Sequence, residues 1–369
     1  MKILLLSDAN SSHTVKWALS LNKQGVNILL FSLFKPNQEI QKRYDEFGIT
    51  IVEANLQSKI SELRRPNLSK LNYILSLRLL KKTIALYQPD ILHAHYASSY
   101  GVLGYLSRFR PFLLSVWGSD IYDFPEKSII NKWLLKRVIN SADKICSTSK
   151  AMGNIVSQEY GIPKLEIIPF GIDIHYFKPV GGNQDQFIVG TVKSIEKHNG
   201  IDCLLDAAKI IIQDFKINNI KFLIVGDGTE LEKMKIKSSE LSLDNFVNFE
   251  GFISPENVVE YYQKMSIFIS VSTRESFGVS ILEAASCQVP AITSNVGGLP
   301  EVNKHNETGL VIPPESPKEL AYAIKKLYNN NALKNTMGKN ARNRVKEKFN
   351  WNNNVQKMIT VYNQATNNK

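Results

Sequence analysis

The sequence predicts an α/β protein built from two doubly wound parallel sheets, and three observations predict it. Short apolar runs without alternation recur along the chain, as expected of strands covered on both faces. Longer helical patterns separate these runs, and the alternation occurs in two successive sets. Between the sets lies "PFGIDIHYFKPVGGNQDQ", Pro169 to Gln186, with prolines, a glycine pair and no periodicity.

The first set runs "KILLLS", the helical "HTVKWALSLNKQG", "NILLFS", "DILHAHY", "FLLSVW" and "KICSTS". The second runs "FIVGTV", "KFLIVG", "FVNFEG", "SIFISVS" and "VPAITS". After Pro317 the chain turns helical to its end. The expected division is a first domain at 1–170, a linker at 171–186, a second domain at 187–350 and a closing helix at 351–369. Ligands of such sheets bind at the carboxyl ends of strands, and two domains with facing strand ends enclose a cleft. The loops after strands are therefore the places to look for chemistry.

A chain of 369 residues suits two domains, and 43% hydrophobic with 21% charged residues is ordinary for a globular protein. The opening "MKILLLSDAN" has one lysine and an apolar run broken by Asp8, shorter than a signal-peptide core or a membrane span. Cys146, Cys203 and Cys287 are widely spaced and odd in number, which indicates neither a disulfide framework nor a zinc ribbon. A cytoplasmic location is expected. The net charge of +11 is uneven: residues 1–170 hold 22 Lys and Arg against 13 Asp and Glu, and the remainder 23 against 21. A basic first half attracts nucleic acid, anionic lipid or phosphorylated substrates, and charge alone does not choose among them. No nucleic-acid recognition motif accompanies it.

In "RESFGVSILEA", Glu275 and Glu283 stand eight positions apart around a Phe-Gly step. One continuous helix would hold them roughly 12 Å apart and about 80° out of register, too far to share a reacting atom. Gly278 is expected to end a loop and Val279 to Ser286 to form a helix, an arrangement that suits an elongated ligand centred on the helix N-terminus. "VGDG" places Gly226 and Gly228 after a strand, where backbone N–H groups approach a phosphate or ribose, or where the chain simply turns. The full dinucleotide fingerprint is missing, which disfavours a dehydrogenase. "TVKSIEKHNGID" puts Lys193 and Lys197 at another strand end, either neutralising a diphosphate or lying on a solvated loop.

"ILHAHY" carries His93 and His95 on one strand face. A metal would need a third ligand that the neighbourhood does not supply; His95 is instead placed to hydrogen-bond a substrate hydroxyl, with His93 buried. Ser11, Ser12 and His13 stand at a helix N-terminus, as caps or as anion contacts. Residues 58–82 mix leucines with Lys59, Arg64, Arg65, Lys70, Arg78, Lys81 and Lys82. Such a segment is either an ordinary surface helix or a basic face for an anionic membrane, with Arg64, Arg65, Lys81 and Lys82 as its patch.

Together these features resemble the retaining glycosyltransferases of family 4, whose GT-B fold is two facing Rossmann-like domains with an interdomain cleft. The segment "RESFGVSILEAASCQVPAITSNVGGLPEVNKHNETGLVIPP" is similar to the family's E-x7-E segment and its GG-x-PE and TGL turns, and "IIPFGID" and "KFNW" agree as well. The resemblance implies a sugar moved from a nucleotide-diphosphate donor, UDP-linked, to a glycan or lipid-linked acceptor in polysaccharide or lipopolysaccharide assembly, with retention and without a metal. It implies Glu275 at the donor sugar, Phe277, Gly278 and Val279 offering backbone N–H groups, Glu283 on the ribose, and His95 beside the transferred sugar. It also implies that the closing helix returns to the first domain. The basic first domain fits an acceptor that is lipid-linked or sits on a membrane, and with it a peripheral place on the inner face of the cell membrane. Departures are "SSHTVKW" in place of a double glycine, Lys193 paired with either Lys197 or His198 where Arg and Lys are usual, and Gln288 where glycine is common. A nucleotide-sugar epimerase, a phosphorylase or a sugar-nucleotide-binding scaffold are the competing readings.

Overall fold

The computed structural model describes residues 1–54, 66–181 and 186–367. The chain divides into two compact units, Met1–Ile168 with Asn352–Lys369, and Pro169–Trp351.

In the first unit seven parallel strands form one sheet: β1 (Lys2–Leu6), β2 (Asn27–Ser32), β3 (Thr50–Glu53), β4 (Ile91–His95), β5 (Phe112–Val116), β6 (Lys144–Ser147) and β7 (Glu166–Ile167). Their order is β3-β2-β1-β4-β5-β6-β7. The strands are apolar at successive positions because both faces are covered. Leu4, Leu6, Leu92, Ala94, Leu114 and Val116 enter one buried cluster. Alternate positions face the other way, and there His93 is buried, with Nδ1 2.7 Å from the Tyr362 hydroxyl and Nε2 2.8 Å from Ser115 Oγ. Tyr362 belongs to the helix Trp351–Thr366, whose Val355, Met358 and Val361 form a buried stripe at helical spacing.

The second unit has six parallel strands: β8 (Phe187–Val192), β9 (Ile220–Val225), β10 (Val247–Gly251), β11 (Ile267–Ser270), β12 (Ala291–Ser294) and β13 (Gly309–Ile312). Their order is β10-β9-β8-β11-β12-β13. Leu204, Leu205 and Ala208 from one helix and Leu320, Ile324 and Leu327 from another pack in a single core over the sheet. The start of the stretch read as a linker is tied into this unit: Ile172 N–H donates to Phe349 O at 2.8 Å and Trp351 N–H to Ile172 O at 3.2 Å. Such bonds satisfy backbone groups that a solvated connection would leave to water.

Each order contains one place where the chain reverses its direction of winding, between β1 and β4 and between β8 and β11. The loops leaving those neighbouring strands diverge to opposite faces and open a crevice at the carboxyl edge.

Candidate functional site

At the break in the second sheet, Lys193 follows β8 directly and reaches across to the loop after β11. Its Nζ donates to Glu275 Oε2 at 2.9 Å, to Ser272 Oγ at 2.5 Å and to Ser270 Oγ at 3.4 Å. An ammonium has three hydrogens, and three acceptors surround this one. The side chains are 8% exposed for Lys193 and 21% for Glu275, so the pair is largely withdrawn from water.

Neighbouring loops hold the pair in place. Thr273 N–H donates to the His198 carbonyl at 2.9 Å, which ties the loop after β8 to the loop after β11. Glu196 accepts from the Thr229 hydroxyl at 2.5 Å and from its N–H at 3.2 Å, and these bonds hold its carboxyl below the ordinary range. From the other side, Gly298 N–H donates to the Glu275 carbonyl at 3.2 Å. Gly297, at φ +48°, lies against that same carbonyl, and a Cβ there would collide with it. Gly297→Ala is accordingly expected to displace the Glu275 loop and lower turnover on the order of tenfold or more, with a smaller loss of melting temperature, read by initial rates and thermal unfolding.

The helix Val279–Ser286 begins at Gly278, which sits at φ +99° and contributes no side-chain cap. No acidic residue occupies its first turn. The leading N–H groups, at the half-exposed Val279 and Ser280, have no acceptor within the helix and carry the positive end of its dipole. Phe277 is buried against Phe170 and Phe349, so only its backbone is in a position to meet a ligand. One turn on, Glu283 Oε2 accepts from the Tyr262 hydroxyl at 2.6 Å. Burial first, and then the Glu283 charge, push the Tyr262 hydroxyl well above its ordinary pKa, so it stays a donor.

The first sheet repeats the arrangement at its own break. His95, the last residue of β4, is buried, with Nδ1 3.1 Å from Ser7 Oγ just after β1. Ser7 Oγ lies 2.7 Å from Thr14 Oγ1. Trp117, just after β5, tilts over His95 with ring centroids 4.4 Å apart and meets His13 edge-on at 5.8 Å. The buried Asp120 accepts from the N–H groups of Ala97, Trp117 and Gly118 at 2.9, 3.2 and 2.8 Å, which pins the tryptophan loop to the loop after β4. Burial lowers His95 far below the usual imidazole range, helped by His93 and His13, and lowers His13 to about 4, helped by Lys16. These rings are neutral at physiological pH.

Two family models match the chain. The one for glycosyl transferases group 1 matches residues 174–344, and the one for glycosyl transferase 4-like proteins matches residues 2–149. The chain belongs to the group 1, family-4-like glycosyltransferases. Among curated relatives, an uncharacterised glycosyltransferase of Methanocaldococcus jannaschii is 28% identical over 279 residues, covering 74% of this chain and 75% of the relative. O-antigen chain mannosyltransferase C of Escherichia coli is 27% identical over 293 residues, covering 74% and 75%. Among solved structures, Anabaena HepE in complex with UDP-glucose shares the fold with a TM-score of 0.82 at 20% identity, covering 99% of this chain and 100% of that one. The two Rossmann-like sheets are thus those of a GT-B glycosyltransferase.

In this glycosyltransferase Glu275, Lys193 and Gly278 to Glu283 gather at the break of the second sheet. Gly226 and Gly228 lie on the adjoining turn, but their N–H groups are taken by the Gly251 carbonyl at 2.8 Å and the Asp227 carboxylate at 2.7 Å. Lys197 and His198 are both exposed, in a short 3-10 turn beside Thr273. Ser11 stands at the cap position of its helix without a side-chain capping bond, Ser12 is exposed and His13 is half-buried against Trp117. Lys81 and Lys82 are exposed on the helix Pro66–Tyr87, whereas Arg64 and Arg65 lie outside the described residues. Among the described residues no three metal-ligating side chains come together, and no helix is long and apolar enough to cross a membrane.

Sequence reasoning missed the roles of Ser272, Tyr262, Ser7, Thr14 and Trp117. The run "FLLSVW" is a visible strand, and its closing tryptophan, an aromatic at a strand's carboxyl edge, is the available signal for Trp117. Nothing local marked Tyr262, which meets Glu283 from a separate helix.

Proposed function

We propose that this glycosyltransferase moves a hexosyl group, with retention, from a UDP-linked sugar to the hydroxyl of a glycan or lipid-linked acceptor in cell-surface polysaccharide or lipopolysaccharide assembly. The observation that carries this reading is the Lys193–Glu275 pair at the sheet break, in the same loop and helix start as an uncapped helix N-terminus. A diphosphate placed there meets a cation and backbone donors together, and the sugar beyond it meets a carboxylate. The UDP-glucose in the HepE structure and the O-antigen role of the Escherichia coli relative support the donor and the pathway chosen.

In this reading Glu275 orients the donor sugar and is no covalent nucleophile. Lys193 exchanges its longest partner, the Ser270 hydroxyl, for a phosphate oxygen, and exposed Lys197 or His198 supplies the second positive charge. The leading N–H groups at Phe277, Gly278 and Val279 face the diphosphate, and Glu283, set by Tyr262, holds the ribose. Gly226 and Gly228 shape the turn that adjoins the nucleotide. The bond from the sugar carbon to the phosphate oxygen breaks as the acceptor oxygen attacks from the same face, and the departing phosphate oxygen takes the acceptor proton. Neutral His95 hydrogen-bonds the transferred sugar, and the Ser11, Ser12 and His13 turn lies toward phosphate and acceptor. Side-chain cations and the helix terminus carry the charge that a metal carries elsewhere.

A donor screen by slow hydrolysis, run with EDTA and followed by nuclear magnetic resonance of the product anomer, tests this. UDP-sugars are expected to be consumed with EDTA present and to give product of unchanged anomeric configuration. Inversion, or collapse of turnover in EDTA, would count against the mechanism.

A further inference from the structure

We propose that the first turns of the helix Ile129–Ser141 form a wedge that docks the protein on an anionic lipid surface. Ile129 is 89% exposed, Ile130 74% and Trp133 57%. Single exposed hydrophobics are ordinary on a protein surface, but three large ones clustered within five residues of one helix are not. The turn is also firmly held. Leu135, Val138 and Ile139 are buried on the inner face of the same helix, Ser128 Oγ accepts from the Asn131 N–H at 3.1 Å, and the Asn131 side chain donates to Phe124 O at 3.1 Å.

The surroundings select the partner. Lys127, Lys132, Lys136 and Arg137 are exposed about the apolar centre, and Arg137 lies over the Trp133 ring at 5.2 Å. Asp123, half-exposed, and Glu126 and Glu159, exposed, are acids in the same stretch of surface, the last 3.5 Å from Lys132 Nζ, against four exposed cations. An isoleucine and tryptophan centre rimmed by an excess of long cationic side chains matches the boundary of an anionic bilayer, where the rings and stems bury and the charges meet headgroups. A second copy of the chain would set the same cations against each other, so the patch disfavours self-association.

Its place in the fold gives the docking a purpose. The helix makes the crossover from β5 to β6, and only Ala142 and Asp143 separate its end from β6. Its last turn therefore lies at the amino edge of the sheet, and 13 residues of helix carry its first turn about 20 Å back toward the carboxyl edge. That is the edge where His95 and Trp117 stand. If the acceptor is lipid-linked, as the proposed function has it, the wedge brings this edge down to the bilayer; the docking itself is measurable without any acceptor.

Vesicle flotation and tryptophan fluorescence test it. Trp17, Trp117 and Trp351 are 3%, 7% and 6% exposed, so Trp133 reports on its own environment. Vesicles of equimolar phosphatidylcholine and phosphatidylglycerol are expected to float the protein and shift its emission to the blue, with pure phosphatidylcholine doing neither. Trp133→Phe should keep flotation and lose the shift. Ile129→Asp with Ile130→Asp should weaken partitioning on the order of a hundredfold, and Lys127→Glu with Lys136→Glu by at least roughly twentyfold. Both pairs are exposed and should leave the melting temperature and soluble-donor hydrolysis unchanged. The proposal falls if the isoleucine pair floats normally, if the charged lipid gives no advantage, or if Lys81→Glu with Lys82→Glu abolishes flotation in its place. A concentration-dependent dimer dissolved by the isoleucine pair, without lipid capture, would also overturn it. Loss of donor hydrolysis in the unaltered protein would sink the proposed function and leave the vesicle result standing.

Discussion

Lys193→Ala is expected to reduce sugar transfer on the order of a thousandfold and to destabilise the second unit by roughly 2–3 kcal/mol. The catalytic loss follows from removing a preorganised cation from where phosphate charge develops. The stability loss has a separate origin, since the substitution leaves the largely withdrawn Glu275 carboxylate, and the Ser270 and Ser272 hydroxyls, without the ammonium they share. Fully buried pairs lose about 3–5 kcal/mol when one partner is removed, and the 21% exposure of Glu275 argues for the lower end or below. The double variant Lys193→Ala with Glu275→Ala separates the two effects. It should recover much of the stability lost by Lys193→Ala alone and none of the activity. Chemical denaturation and initial rates on the four proteins of this cycle provide the measurement. If the double variant falls below the unaltered protein by the sum of the two single losses, the ion pair is not what holds this loop.

The stability of the protein is expected to fall steeply in mild acid, on account of three histidines in the first unit. Burial lowers His93 to about 3 and His95 well below its usual value, and burial with Lys16 lowers His13 to about 4. A folded-state pKa below the unfolded value of about 6.5 means that stability is whole above that pH. It is lost as the pH falls below it, because the unfolded chain takes up protons that the folded chain refuses. Each fully buried histidine contributes up to about 1.4 kcal/mol per pH unit in that window, and His13, half-buried, contributes less. The expected slope near pH 5 is roughly 3 kcal/mol per unit. Asp120 works in the opposite direction in acid, since burial raises its carboxyl and the folded chain gains that proton first. Urea midpoints measured from about pH 7.5 to about pH 4.5 would show the slope, and His93→Gln should remove about a third of it while lowering stability throughout. A flat profile across this range would mean that these rings are not held neutral by burial.

The candidate site residues were not equally legible before folding. The helix expected at Val279 to Ser286 is the helix observed, because Gly278 and an apolar run at helical spacing are local signals. Ten of the thirteen described strands were similarly legible, since coverage on both faces writes itself into each run separately, whereas β3, β7 and β13, edge strands of four, two and four residues, were too short to stand out. Gly226 and Gly228 show the limit of such reading. A glycine after a strand marks a turn reliably, yet whether its N–H is available depends on what packs above, and here Gly251 and Asp227 occupy both. Ser11 shows the same limit, standing at the cap position by pattern while its side chain makes no capping bond.

The sequence by itself determined the two-sheet α/β plan, and it marked as candidates the glutamates and lysine of the second unit and the histidine of the first. Burial period, turn residues and motif spacing are properties of a few consecutive residues, and they survive without a fold. The tertiary structure alone decided which of those groups meet. Lys193 and Glu275 are 82 positions apart and Ser7 and His95 88, and each pair joins only because the order of strands sets β8 beside β11 and β1 beside β4. Strand order follows from how whole helices pack on the two faces, a cooperative choice that no short segment carries.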